Sequence, residues 1–442
     1  MKAINVLISA LIPIGICACS GNKRTSSAEG ADTVTAVNTS VDPIKLAKPD
    51  TNASNTNFSD IIGWNGNMPI APTGFTVTEY ASGFQSPRWI YEAPNGDIFI
   101  AESATVKSLV KKVKDTFTGK AKSNQQKGSA NKITILRDTN NDGKPDLRQD
   151  FLTGLSQPFG MLVIGNSFYV ANTDGIVKFP YTPGQTKITA KGVKILELPA
   201  KGYNNHWTRN ILANKDNSKI YVSVGSASNV GEHGMKHEHR RANILEINAD
   251  GTGERIYASG LRNPVGMDWA PGTGTLWTAV NERDELGDDL VPDYLTSVKE
   301  GGFYGWPYAY FGANEDPRLK GQKPELVKKT IVPEVPLGAH TASLGLAFYD
   351  KKSFPSKYHS GAFIGQHGSW NHSNLVGYKV VFVPFKNGKP SGPPEPFLTG
   401  FIANAEKSEV HGRPVGVAVI KDGSLLVADD ASNIVWRVAA SK

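Results

Sequence analysis

From Gly83 onward the chain repeats one pattern of apolar and polar positions six times. Each unit opens on a turn rich in Gly, Pro, Asn or Arg and runs into an apolar stretch. It breaks at a second turn and ends on another apolar stretch closed by a small or polar residue. The units are GFQSPRWIYEAPNGDIFIAES from Gly83, GLSQPFGMLVIGNSFYVANTD from Gly154, NNHWTRNILANKDNSKIYVSVGS from Asn204, GLRNPVGMDWAPGTGTLWTAVNE from Gly260, HTASLGLAFYD with GAFIGQHGS from His340, and HGRPVGVAVIKDGSLLVADDA from His411. Short apolar runs between turn residues predict strands, and no helical heptad is sustained. Several units carry a further apolar stretch, as in KITILRD, GIVKFPY, NILEINADG, GYKVVFVPF and NIVWRVA. Three or four antiparallel strands per unit make one propeller blade, so the predicted fold is all-β, a six-bladed β-propeller. GFTVTEYAS (Gly74–Ser82) precedes the first unit and is placed to close the ring against the last. A sandwich or barrel with chance likeness between turns is the alternative; six copies in one order weigh against it.

The 442 residues include 45 Gly and 27 Pro, in keeping with many short strands and turns. The first residues depart from the pattern. Lys2 precedes an apolar stretch from Ile4 to Ile16, too short to span a bilayer, which reads as a signal peptide. Ala18-Cys19 resembles a lipobox, so residues 1–18 are expected to be a lipoprotein signal and Cys19 the lipidated residue. An ordinary secretory signal is the other reading. Residues 19–69, rich in Ser, Thr, Asn, Asp and Ala, are expected to form a flexible linker, and residues 70–442 the propeller. Long stretches at 103–132 and 282–336 read as insertions. The protein is thus expected to be exported and lipid-anchored to a bacterial, outer-type membrane, facing the periplasm. Cys17 and Cys19 are the only cysteines, so the mature domain has neither a disulfide nor a thiol nucleophile.

The formal charge of +7 is local. Residues 103–132 hold eight lysines against one acid, Asp115, and the rest of the chain balances 40 basic residues with 40 acidic ones. That argues against a nucleic-acid face and for a solvated loop.

In a propeller the loops that open equivalent units meet at one end of the axis. Here those loops carry Arg88 and Trp89, Pro158 and Phe159, His206 and Arg209, Arg262 and Asn263, His340, and His411 with Arg413. The expected result is a cationic, partly aromatic pocket suited to a planar anion. His206, three residues before Arg209, is a candidate general base, and Arg262 offers a fixed fork that polarises a carbonyl or holds a carboxylate. DTNNDGKPD places Asp138, Asn140, Asp142 and Asp146 in a pattern like a calcium loop, although a hairpin turn built on Asp-Gly explains the same residues. NERDELGDD (Asn281–Asp289) reads equally as a metal loop or an acidic loop. EHGMKHEHRR reads as a surface loop. No G-x-S-x-G, HExxH, P-loop or dinucleotide fingerprint occurs.

The motifs GLRNPVGMDW, GGFYGWPY, NERDELGDDLVPDYLTSV, GAFIGQHGSWN and HGRPVGV resemble the sorbosone dehydrogenase family, relatives of the soluble aldose sugar and glucose dehydrogenases that use pyrroloquinoline quinone (PQQ). The resemblance covers roughly residues 70–440. It implies a propeller with PQQ and calcium at the axial mouth. It implies His206 with Arg209 as the general-base motif, and Arg262 polarising the quinone oxygen. Asn263 would then meet the cofactor, His411 and Arg413 would grip its carboxylates, and backbone carbonyls at Glu282 and Arg283 would hold calcium. The sequence departs from the glucose dehydrogenases at Val265, where they carry Gln, at Glu282-Arg283, where they carry Gly-Pro, and at Gly225-Ser226-Ala227-Ser228, where their base-orienting acid is missing.

The expected activity is therefore oxidation of a sugar, sugar aldehyde or related alcohol by hydride transfer to the quinone, with electrons passed to a periplasmic acceptor. The alternatives are a non-catalytic propeller that binds carbohydrate or protein, and a calcium-dependent hydrolase on the same scaffold.

Overall fold

Every apolar run picked out by the repeat is a strand in the computed structural model, which describes residues 45–106, 123 and 128–441. The signal and lipidation reading at Cys19, and the lysines from Lys107 to Lys127, lie outside the described residues. The chain is almost wholly β. Pro324–Lys329 is the one α-helix among the described residues.

Most of the described strands form six antiparallel sheets in chain order, beside a small three-stranded sheet and the two-stranded pair Ala309–Tyr310 and Asn314–Glu315. The first four are Pro87–Glu92, Ile98–Glu102, Lys132–Arg137 and Leu147–Leu152; then Met161–Ile164, Ser167–Asn172, Gly175–Pro180 and Val193–Glu197; then Arg209–Ala213, Lys219–Val224, Asn243–Asn248 and Arg255–Ser259; then Pro264–Ala270, Thr275–Val280, Pro292–Ser297 and Val335–Ala339. The fifth runs Ser343–Tyr349, Gly361–Gln366, Lys379–Lys386, with Glu395–Leu398 on its edge. The sixth joins Pro414–Val419, Leu425–Asp429 and Ile434–Ala440 to Phe75–Ser82, so the stretch before the first unit closes the last sheet as expected.

The leading strands of successive sheets touch in turn, and Trp89 packs on Phe159 at 4.8 Å to join the first sheet to the second. Each unit exposes two apolar sheet faces and covers them with its neighbours, which is the arrangement of a β-propeller. The P-V-G of two units explains how closely the leading strands approach. A side chain at Gly266 would lie 2.6 Å from the Leu344 carbonyl oxygen, and one at Gly416 would lie 2.7 Å from that of Arg88. Neither contact is tolerable, so both positions demand glycine.

Two expectations are corrected. Residues 282–336 are not all insertion: Pro292–Ser297 is the third strand and Val335–Ala339 the fourth of their sheet. The Pro within PDYLTS masks the strand pattern, but it heads the strand, where its missing N–H costs no ladder bond. The linker also ends before residue 69. Asp60–Ile61 pairs in parallel with Glu409–Val410, and Trp64 is 5% exposed in the core, its indole N–H donating to Asp429 Oδ2 at 2.7 Å. The apolar residues of IIGW, too few to give a period, find a binding face only on the folded sixth sheet.

Candidate functional site

His206 lies on the loop that leads into Arg209–Ala213. Its Nδ1 is 2.8 Å from the Ser226 carbonyl oxygen and 3.0 Å from Ser226 Oγ. A carbonyl only accepts, so Nδ1 carries the proton and Nε2 keeps its lone pair. Ser226 Oγ donates to the Ser228 carbonyl at 2.6 Å, which leaves its own lone pairs for the imidazole N–H. Burial, reinforced by the Arg262 charge, pushes the ring down to about 3, so it is a neutral acceptor near neutral pH. Trp207 is anchored by its indole N–H on Thr105 Oγ1 at 2.9 Å.

Arg209 does not face this site. It is fully buried, and its fork donates to the carbonyls of His206 (2.7 Å), Thr208 (2.8 Å) and Pro199 (2.8 Å). The guanidinium thus grips the backbone that presents His206.

Arg262 and Asn263 occupy the turn before Pro264–Ala270. Both are nearly inaccessible. The Arg262 fork donates to Glu282 O at 2.6 Å, Asn229 Oδ1 at 2.8 Å and Asn229 O at 3.1 Å, and pairs with Asp284 at 3.3 Å. Asp284 in turn meets His340 Nδ1 at 3.3 Å, and His340 Nε2 lies 2.8 Å from the Gly287 carbonyl. Both ring nitrogens of His340 face acceptors, an arrangement that favours the protonated ring. Burial opposes that charge, but Asp284 outweighs it and raises the ring above its ordinary value. Burial likewise acts to raise the Asp284 carboxyl, and the His340 and Arg262 contacts overcome it, holding the group below the usual carboxylate range.

Asn263 Oδ1 is buried with no partner. It borders Gly225, where a side chain would lie 2.3 Å from that oxygen and 2.6 Å from His206 Cβ. Gly225 thus lets the base and the amide sit side by side. A buried amide oxygen left unpaired costs free energy, and a donor supplied by a ligand would recover it.

A second charged group adjoins the first. Arg88 lies over the Trp207 ring at 5.5 Å and pairs with Asp430, which also binds His367 Nε2 at 2.8 Å. Arg413 joins it, donating to the carbonyls of His367 (3.0 Å) and Gly368 (3.1 Å). His411 stands apart from both groups: it stacks on Trp64 at 5.0 Å, and its Nδ1 lies 2.7 Å from the Gly63 carbonyl. His367, rather than His411, is the histidine that lies against Asp430 and Arg413.

The two calcium readings part ways. Asp138, Asn140, Asp142 and Asp146 form the hairpin between Lys132–Arg137 and Leu147–Leu152. Its carboxylates are spent on the loop itself: Asp138 on Gly143 N (2.8 Å), Asp142 on Lys144 N (2.8 Å), Asp146 on Thr139 N (2.8 Å). The hairpin-turn reading accounts for these bonds. Glu282 and Arg283 are buried beside Arg262, which donates to the Glu282 carbonyl at 2.6 Å. Burial pushes the Glu282 carboxyl up to about 7, and Arg283 is paired with Asp316 at 2.6 Å. Among the described residues no cluster of three His, Cys, Asp or Glu side chains is arranged to hold a metal.

The sequence reading missed Asp284 as a partner of Arg262, although it flagged its acidic loop. It also missed His367 and Asp430. GQHGS and VADDA end second strands in the fifth and sixth units, the same position as Gly225, and that equivalence was the available signal.

These sheets and this mouth define a β-propeller with a buried, predominantly cationic axial site. A family model described as TrAA12-like matches residues 69–293 and 320–441, and the chain belongs to that family. The unmatched stretch falls largely in the true insertion of the fourth sheet. An uncharacterized protein of Borreliella burgdorferi is 29% identical over 385 residues, 84% of this chain and 90% of that one. The holo form of the pyranose dehydrogenase PQQ domain of Coprinopsis cinerea superposes with a TM-score of 0.67 at 19% identity, over 86% of this chain and 100% of that one. The calcium structure of a Trichoderma reesei carbohydrate-active enzyme of family AA12 gives 0.67 at 18% identity, over 88% and 100%. The resemblance read from the motifs, to soluble sugar-dehydrogenase propellers, agrees with these relatives.

Proposed function

We propose that the protein is a PQQ-dependent oxidoreductase that oxidises a sugar, sugar aldehyde or related alcohol, its six sheets serving as six blades around the cofactor. The observation that carries the reading is the unpartnered Asn263 Oδ1 beside His206 and next in sequence to Arg262. Arg262, Asn263, Arg88 and Arg413 suit a planar, polyanionic quinone, because guanidinium charges favour carboxylates nearby and the unpartnered, buried lone pair on Asn263 would take a ring N–H. When bound, the quinone supplies the two-electron acceptor for a hydride from the substrate carbon. His206 Nε2 takes the proton of the hydroxyl that becomes a carbonyl, and Ser226 stabilises the charged ring from behind. Arg262 holds positive charge at the mouth, kept rigid by its bonds to Asn229 and Glu282.

Calcium belongs to the same proposal. The Glu282 carbonyl already accepts from Arg262 but has a second lone pair, and the calcium form of the Trichoderma reesei relative supports a cation in this fold. Export, a lipid anchor at Cys19 and electron delivery to a periplasmic acceptor complete the reading, supported by the sequence of the first residues.

The test is reconstitution of the apoprotein with PQQ and calcium, followed by dye reduction with a panel of aldoses and sugar aldehydes. Failure to bind PQQ sinks the enzyme reading. Full turnover by His206→Ala sinks the assignment of the base.

A further inference from the structure

No carboxylate lies within Gly225–Ser228, the stretch that supplies both partners of His206 Nδ1. We propose that Glu238, from the His-rich stretch that reads as a surface loop, positions His206 by acting through a peptide bond. The proposal rests on the reading of His206 as the base.

Glu238 is 6% exposed, at the end of the short turn Met235–Glu238. Its Oε2 accepts from Ala227 N at 2.7 Å, and its Oε1 accepts from Ser228 N at 3.1 Å and from the Ser228 hydroxyl. Ala227 N–H and the Ser226 carbonyl belong to one peptide unit. That unit is planar and trans, so its N–H and C=O point in opposite directions. Glu238 holds one end of the plane, and the other end accepts Nδ1–H of His206 at 2.8 Å. Gripping the amide therefore sets where the carbonyl points. A negative charge bonded to the N–H also polarises the unit and makes its oxygen a stronger acceptor.

The neighbouring bonds lock the same loop. Ser226 N donates to the Arg262 carbonyl at 2.8 Å, and Asn205 N donates to the Ala227 carbonyl at 2.9 Å. The Ser228 carbonyl, on the residue that Glu238 holds most firmly, accepts from Ser226 Oγ and so turns that oxygen's lone pairs toward the imidazole. Both contacts of His206 Nδ1 thus trace back to one carboxylate. Its purpose in this geometry is to keep the proton on Nδ1 and the lone pair on Nε2.

The test replaces Glu238 by Gln, which keeps the shape but sets an NH2 group against one of two amide donors. Nitrogen-15 spectra of histidine-labelled, PQQ-free full-length chain report the tautomer directly, with the His206 signals assigned by their loss in His206→Ala. Wild type should show a protonated Nδ1 and a bare Nε2. In Glu238→Gln both His206 nitrogens should move toward the average of two tautomers. In the reconstituted enzyme kcat should fall by about 10- to 100-fold, by analogy with the loss when a partner that orients a metal-bound histidine is removed. A merely structural glutamate would lower stability and leave the tautomer unchanged; His206 signals superposing on those of wild type overturn the proposal. Should Glu238→Gln not fold, Glu238→Asp, which keeps the charge but shortens the reach, is read the same way. Because the spectra need no cofactor, they stand whether or not PQQ binds.

Discussion

Replacing Arg262 by Met tests the mouth as a charge assembly. Met has about the same length and no charge, so the change isolates the guanidinium. In the structure that group, itself buried, donates to Glu282 O and to the backbone and side-chain oxygens of Asn229, and pairs with the partly buried Asp284. Breaking a buried ion pair by removing one partner typically costs about 3–5 kcal/mol, because the other charge stays buried. Asp284 keeps His340 as a partner, which places the expected loss near the lower end of that range. Arg262→Lys should lose less: the charge remains, but an ammonium has three donors where the fork has five. The assay is urea denaturation of the apoprotein at neutral pH. A second readout is the titration of His206. Burial, the larger cause of its depressed value, remains in Arg262→Met, so the ring should rise from about 3 yet stay below an ordinary histidine. A stability unchanged within about 0.5 kcal/mol, the usual range of a surface substitution, together with an unmoved His206 titration, would falsify the account.

Trp64→Ala should destabilise the domain by about 3–5 kcal/mol, since it deletes a core indole and leaves Asp429 short of a donor; equal urea midpoints for variant and wild type would restore the longer flexible linker. His367 is pushed down to about 4 by burial and by the Arg413 charge. A depressed histidine contributes stability that is present above its unfolded value, about 6.5, and lost as pH falls through its folded one. The wild type should therefore lose stability from about pH 6.5 toward 4 more steeply than His367→Gln, and parallel urea-midpoint profiles across that window would count against the buried neutral ring.

Much of the fold was legible because its signals are local. A strand of alternating or continuous apolar residues between turn residues reads the same wherever it lies, and six copies in order leave little choice of architecture. PDYLTS and IIGW escaped for a shared reason: each is short, and each becomes a strand or an anchor only against a surface that another part of the chain provides. In the site, equivalence between units brought His206, Arg262, Asn263 and Arg413 to one end of the axis. It did not reveal the contacts of Arg209 and His411, because position on a loop does not say which way a side chain turns. Arg209 turns back onto carbonyls near its own loop, and His411 turns outward onto Trp64.

By itself, then, the sequence determined the succession of strands, the closing of the last sheet by Phe75–Ser82, and the set of charged loops gathered at the mouth. Only the tertiary structure decided which of those charges are paired and which polar atom is left without a partner. That depends on burial and on the direction of hydrogen bonds, which arise when distant loops meet. Asp284 beneath Arg262, and Glu238 behind the peptide that faces His206, are carboxylates whose partners no spacing along the chain reveals.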